Sequence, residues 1–134
     1  MGALLPTLKQ KGFLDQISIT IVNVGSRKIS EEDDYGGQSW SLFAPNLTIY
    51  GFDADQDACD EANADIRNRQ VPWREVHVPL ALGKNQEERT LYVTKHLACT
   101  SLYPPNEPLL NRFALLPEYA NLDFTLPIET TTLD

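Results

Sequence analysis

The chain has 134 residues, 42% hydrophobic and 22% charged, with nine prolines, seven glycines and two cysteines. That length suits one compact domain, and the balance argues against wholesale disorder, collagen-like repeats and a disulfide scaffold. Nineteen acidic against eleven basic side chains give a net charge of −8, and ten of the acids fall between Glu31 and Asp65, where no Lys or Arg occurs. Such a surface repels phosphate, which argues against nucleic acid or an anionic membrane as partner.

The first sixteen residues are expected to form a helical lead-in. The apolar run of Met1-Gly2-Ala3-Leu4-Leu5 is too short for a signal peptide and has no early basic residue. Pro6 stands where a myristoylation motif wants Ser or Thr. No apolar stretch reaches membrane-spanning length. Cys59 and Cys99 lie forty residues apart without a CxxC motif, which reads as two free thiols in a reducing, cytoplasmic setting and not as a zinc site.

Ile17 to Val24 is β-branched almost throughout and apolar on both faces, the mark of a strand buried between two layers, and Gly25 closes it. A polar loop from Ser26 to Gln38 and a short helical piece around Trp40 to Phe43 lead to a second strand, Leu47 to Phe52, ending at Asp53. The period then changes. Ala58, Cys59, Ala62 and Ile66 mark one face of a helix that Asp53 or Asp55 can cap, with Asp57, Asp60 and Glu61 early in it, where the dipole favours negative charge. Val76, Val78, Leu80 and Leu82 alternate as a third strand reaching Gly83, and Thr90 to Thr94 is rich in strand formers; the two suggest a β-hairpin excursion. Five of the nine prolines fall between Pro104 and Pro127, a stretch expected to hold one short helix over Leu109 to Leu116, and Phe124 to Thr131 reads as a last strand.

This order predicts an α/β fold with a mostly parallel sheet and flanking helices. The expected layout is a single domain over 1–134: the lead-in over 1–16, a βαβαβ half over 17–83, and a hairpin, Pro-rich loop and last strand over 84–134. In such sheets ligands sit at the carboxyl ends of the strands, which directs attention to Asn23-Val24-Gly25, to Asp53 and to Ala81-Leu82-Gly83. A glycine after a buried strand lets a ligand approach the backbone, and a carboxylate at the next strand tip accepts hydrogen bonds from two ribose hydroxyls. GxGxxG and the Walker lysine motif are both absent, so a nucleoside ligand without a pyrophosphate fits better than NAD or ATP. Gly25 alone is best explained as a turn and Asp53 alone as a cap; together, at adjacent strand ends, they favour nucleoside binding.

Val22-Asn23-Val24-Gly25-Ser26 resembles the first motif of S-adenosylmethionine-dependent methyltransferases, usually V-D-V-G-A. Tyr50-Gly51-Phe52-Asp53-Ala54-Asp55 resembles the second, commonly G-F-E-P-D in the FkbM-type family, and Pro79-Leu80-Ala81-Leu82-Gly83 is similar to that family's V-A-L-G-D segment. Thr90 to Thr94, Cys99 to Asn106, Leu110 to Phe113 and Thr130 to Asp134 also look like one branch of it, so the resemblance covers Ile17 to Asp134. It implies a Rossmann-like cofactor fold with S-adenosylmethionine as cofactor. Asn23, Gly25 and Ser26 would lie beside its methionine end, Asp53 on the ribose, Ala54 beside the adenosine, and Ala81 and Leu82 flanking the adenine. The reaction implied is O-methyl transfer to a small-molecule or glycan hydroxyl, with no residue of this chain marked as catalytic. Asn23 stands where the family has an acid, Arg27-Lys28 where it is often small, and Ala54 where it has proline. In the family, Leu133-Asp134 leads into a further strand that lies beside the first, so the chain is expected to hold that fold truncated after its first half. A second reading from another class is a non-catalytic nucleoside-binding or interaction module derived from the fold, self-associating through an open sheet edge.

Other candidates have plainer explanations. His77 alternates against the apolar face of the third strand and reads as surface- or partner-facing, and His96 with Cys99 lacks an orienting group. Thr100 and Ser101 read as turn formers, and Glu31 to Asp34 as a solvated loop in preference to a metal site. Trp40 and Trp73 read as packing residues.

Overall fold

The β-branched run becomes strand β1, Ile19–Val24, preceded by a short helix α1, Leu4–Gln10, in a computed structural model that describes residues 4–34 and 36–134. Strand β2, Leu47–Asp53, and strand β3, Arg74–Pro79, complete a parallel sheet in the order β1-β2-β3. Ile19 lies beside Leu47 and Val24 beside Phe52, while Thr48 pairs with Arg74 and Asp53 with Pro79. The central strand carries the core, with Leu47 and Ile49 only 0% and 2% exposed.

Helix α2, Gln56–Arg69, connects β2 to β3 and buries Cys59, Ala62 and Ile66, three of the residues that its period marks. Asp55 caps it by accepting a hydrogen bond from the Ala58 N–H at 3.1 Å. Gln70, at φ 50° and ψ 48°, ends it in the left-handed conformation typical of helix C-termini. Between β1 and β2 the described residues contain no α-helix, only 3-10 turns at Glu31–Asp33 and Ser39–Phe43. The polar stretch from Ser26 to Gln38 has no apolar stripe to lay on the sheet, so it crosses as a loop.

The third strand departs from expectation in two ways. It stops at Pro79: Leu80 turns back so that its N–H meets the Val78 carbonyl at 2.9 Å, and Ala81–Leu82 forms a separate strand, β4, in another sheet. Its buried side chains are Glu75 and His77, whereas Val76 and Val78 are half-buried. The outward reading of His77 is thereby corrected: Ser26 and Glu75 supply polar partners that make burial of the imidazole tolerable.

The chain divides into two compact units, Met1–Leu80 and Ala81–Asp134, where the sequence suggests one domain with a break at Gly83. The second unit pairs strand β5, Glu87–Thr94, antiparallel with strand β6, Leu122–Thr131, and sets β4 parallel to the end of β6. Its order is β4-β6-β5, so the expected hairpin between the third strand and Thr90–Thr94 is replaced by an insertion of β6 between them. The Thr130 hydroxyl lies 2.8 Å from the Asn85 carbonyl and 3.0 Å from that of Glu87, and the Gly83 N–H donates to the Thr131 carbonyl, which together hold β6 in that slot. Two short helices, α3 (Glu107–Leu110) and α4 (Leu116–Ala120), replace the single one expected over Leu109 to Leu116. Pro117 fits only a helix start, which forces the second helix to begin there. No helix among the described residues is long and apolar enough to cross a membrane.

Candidate functional site

The carboxyl end of the first sheet is built by the turn after β1. Gly25 has φ +72°, a left-handed conformation that glycine adopts without strain, and no atom lies within 4 Å of where its side chain would project. The turn folds over β2: the N–H groups of Gly25 and Ser26 both donate to the Phe52 carbonyl, at 2.8 and 2.9 Å. Asp53, half-buried at the tip of β2, fastens this turn. Its Oδ2 accepts from the Arg27 N–H and its Oδ1 from the Asp55 N–H, both at 3.0 Å. Asp53 therefore does not cap α2. Ala54 is exposed on the turn into that helix, and Asn23 sits half-buried on β1 in one row with Gly51 and His77.

Arg27 and Lys28, which stand where the resembled family is often small, are committed to this chain's own carboxylates. Arg27 bonds Asp55 at 2.6 Å, and Lys28 lies 3.0 Å from Glu75 and 3.5 Å from Asp34. The backbone N–H of Ala58 holds the Asp55 carboxyl below its usual range, and Arg27 adds to that against the cost of burial.

Beneath the turn runs a buried polar chain that sequence reading did not assemble. Ser26, 3% exposed, places its Oγ 3.1 Å from Nδ1 of His77, whose Nε2 lies 3.0 Å from Oε1 of Glu75. Glu75 also accepts from Nε1 of Trp73 at 2.8 Å. Burial alone would push the Glu75 carboxyl up, but hydrogen bonds from His77, Trp73 and Lys28 outweigh it and hold the group at about 2. An ionised Glu75 can only accept, so Nε2–H of His77 donates to it, and Nδ1 shares the second bond with the Ser26 hydroxyl. Gly51 makes the room, since a Cβ there would meet Nδ1 of His77 and Oγ of Ser26 at 2.5 Å. The available signal was Glu75 and His77 two apart on one strand, hence on one face.

The order serine–histidine–glutamate has the composition of a nucleophilic triad, yet its geometry does not fit that chemistry. The serine oxygen is buried, and the adjacent N–H groups that would stabilise an oxyanion are spent on the Phe52 carbonyl. The chain of bonds holds the Gly25–Arg27 turn to β3.

The acidic loop is likewise structural. Asp34 pairs with Arg69 at 2.7 Å, Arg69 with Asp65 at 3.0 Å, and Asp33 accepts from the backbone N–H groups of Ile29 and Ser30. No group of three potential metal-binding side chains occurs among the described residues. A cavity of about 660 Å³ in the first unit is lined by Lys28, Ser30, Glu31, Asp34, Gln38 and Arg69. Its formal charges cancel.

The remaining predicted positions, Ala81 and Leu82, lie in β4 of the second unit, beside Thr130 and Thr131. There His96 caps the 3-10 turn Leu97–Cys99 through Nδ1 and packs edge-on against Tyr119. Thr100 accepts from the Thr94 N–H, and Ser101 bridges to Tyr92. Both cysteines are free, with Cys59 buried and its thiol pushed up by that burial and by Asp53. Set against family models, curated proteins and solved structures, the chain matches none.

Proposed function

We propose that the first unit binds a nucleoside cofactor of the S-adenosylmethionine type at the carboxyl end of its parallel sheet, in a methyltransferase-type domain acting on a small-molecule or glycan hydroxyl. The observation that carries this reading is the pairing of an open, left-handed Gly25 with the Asp53 carboxylate at the next strand tip. Each Asp53 oxygen takes one backbone N–H and keeps a lone pair, so two ribose hydroxyls can still be accepted. Arg27 and Lys28, turned onto Asp55, Glu75 and Asp34, leave the space beside Gly25 free of their charges. The cofactor when bound supplies an electrophilic sulfonium methyl; this unit's residues would bind and orient it, with alignment the main source of rate.

His77, the first unit's sole histidine, has both ring nitrogens engaged, which favours a second reading as a nucleoside-binding module without a base of its own. Titration calorimetry separates the two. S-adenosylmethionine and S-adenosylhomocysteine should bind wild type, and Asp53→Ala should weaken both at least tenfold, the loss of roughly 1.5–3 kcal/mol for charge-assisted hydrogen bonds. Equal heats from wild type and variant would remove Asp53 from the site. Adenosine binding as tightly as S-adenosylmethionine would select the module.

A further inference from the structure

Strand β1 forms one edge of the first sheet, and its register fixes which backbone groups face away from it. The N–H groups of Ile19 and Gly25 donate to Asn46 and Phe52, on the β2 side. By the two-residue period, Ile19, Ile21 and Asn23 address β2, while Ser18, Thr20, Val22 and Val24 present their N–H and C=O groups outward. Among the described residues no hydrogen bond ends on the outward groups of Thr20, Val22 or Val24. Val22 and Val24 are 41% and 63% exposed, and from Ile17 to Val24 there is no charge, proline or glycine.

The other strand edges carry protection that β1 lacks. On β3, the Asn63 amide accepts from the His77 N–H at 2.8 Å and donates to the His77 carbonyl at 2.7 Å, and Arg74 and Glu75 add charge. In β6, the bond from Gly83 to the Thr131 carbonyl shows that odd-numbered residues face away from β5. Beyond the short β4 that row is Thr125, Pro127 and Glu129, with a carboxylate and a proline without an N–H. The far side of β5 is bridged by Ser101 at Tyr92 and carries Glu88 in the same row. Charge, proline and side-chain cover are the devices that keep sheet edges from pairing.

We propose that β1 pairs antiparallel with β1 of a second copy of this chain, across a two-fold axis at Ile21, to join two three-stranded sheets into one of six. The segment is complementary to itself in this register. Thr20 comes opposite Val22 of the partner subunit and Ser18 opposite Val24 of the partner subunit, so every outward N–H and C=O from Ser18 to Val24 finds a partner. Ile19 comes opposite Asn23 of the partner subunit, and no pair sets like charges together. Cross-strand pairs of β-branched residues add side-chain contact on the exposed face. A two-fold arrangement closes on itself and stops at the dimer. With a net charge of −8 on each chain, added salt tightens the association by screening the long-range repulsion.

Sedimentation velocity over a range of protein concentrations tests this. Wild type should pass from monomer to dimer. The double variant Thr20→Lys/Val22→Lys sets cations opposite one another twice across the axis and should remain monomeric. Thr20→Glu/Val22→Glu should also be monomeric alone, and mixing the two should restore a heterodimer. Hydrogen exchange on wild type decides the matter without a variant: the amides of Thr20, Val22 and Val24 should slow as concentration rises, while those of Ile21 and Asn23 are slow throughout. A wild type that stays monomeric, a lysine variant that dimerises as wild type does, or outward amides indifferent to concentration would each overturn the pairing.

Discussion

Glu75 receives three donors while only 9% exposed: the His77 ring, the Trp73 indole and the Lys28 ammonium. Removing the charge but not the shape leaves Lys28 with Asp34 at 3.5 Å as its remaining carboxylate partner. Breaking a buried pair on one side exposes the other to uncompensated desolvation, so Glu75→Gln should cost about 2–4 kcal/mol of unfolding free energy. Urea denaturation measures it, with exposed Glu88→Gln expected within about 0.5 kcal/mol of wild type. An equal effect from both substitutions would show that the buried chain adds nothing. At this scale the sequence identified Gly25 and Asp53 as neighbours, because strand order and a period of two place successive strand tips side by side. It misplaced His77, because alternation tells which residues are apolar and not which face a helix and a loop will cover. Ser26, which bonds the ring, and Lys28, which pairs with Glu75, come from outside the strand and leave no local mark.

Among the elements, α2 was readable in advance through its apolar stripe and through Asp55, which matters to the acidic run as well. Although no cation occurs between Glu31 and Asp65, the flanking Arg27, Lys28 and Arg69 fold back onto Asp55, Asp34 and Asp65. The second sheet was not readable, because Leu82 meets Thr131 across nearly fifty residues and no local pattern selects between that partner and β5. Pro79, followed by the turn at Leu80, was the available sign that the third strand ends early. Strand β2 also depends on a residue that propensity alone would question. Gly51 interrupts a β-branched and aromatic strand because the Ser26–His77 contact occupies the space of its side chain. Gly51→Ala should force that contact apart and lower stability by about 2–3 kcal/mol, more than the small gain alanine brings to a strand. Thermal unfolding tests the prediction, and a variant as stable as wild type would mean that His77 has somewhere else to go.

For the whole molecule, the buried chain also sets a response to acid. The ordinary carboxyl value of 4.5 is held at about 2 in Glu75, because the bonds from His77, Trp73 and Lys28 exceed the opposing effect of burial. A folded value below the unfolded one means that the folded state binds fewer protons. The stabilisation is therefore complete above pH 4.5 and is lost as pH falls toward 2. The difference corresponds to about 3 kcal/mol over that window, a large share of the stability of so small a fold. Asp55, held low by the N–H of Ala58, acts with the same sign. Urea midpoints followed from pH ~5 down to ~2.5 should fall steeply in wild type, whereas Glu75→Gln, which has no such proton to take up, should start lower and fall less. Parallel curves for the two proteins would assign the acid sensitivity to other carboxylates. Because the same bonds hold the Gly25–Arg27 turn against β3, acid that loosens Glu75 should also loosen the turn that presents Asp53. Binding of S-adenosylhomocysteine should then weaken over the same pH window in which the urea midpoint falls.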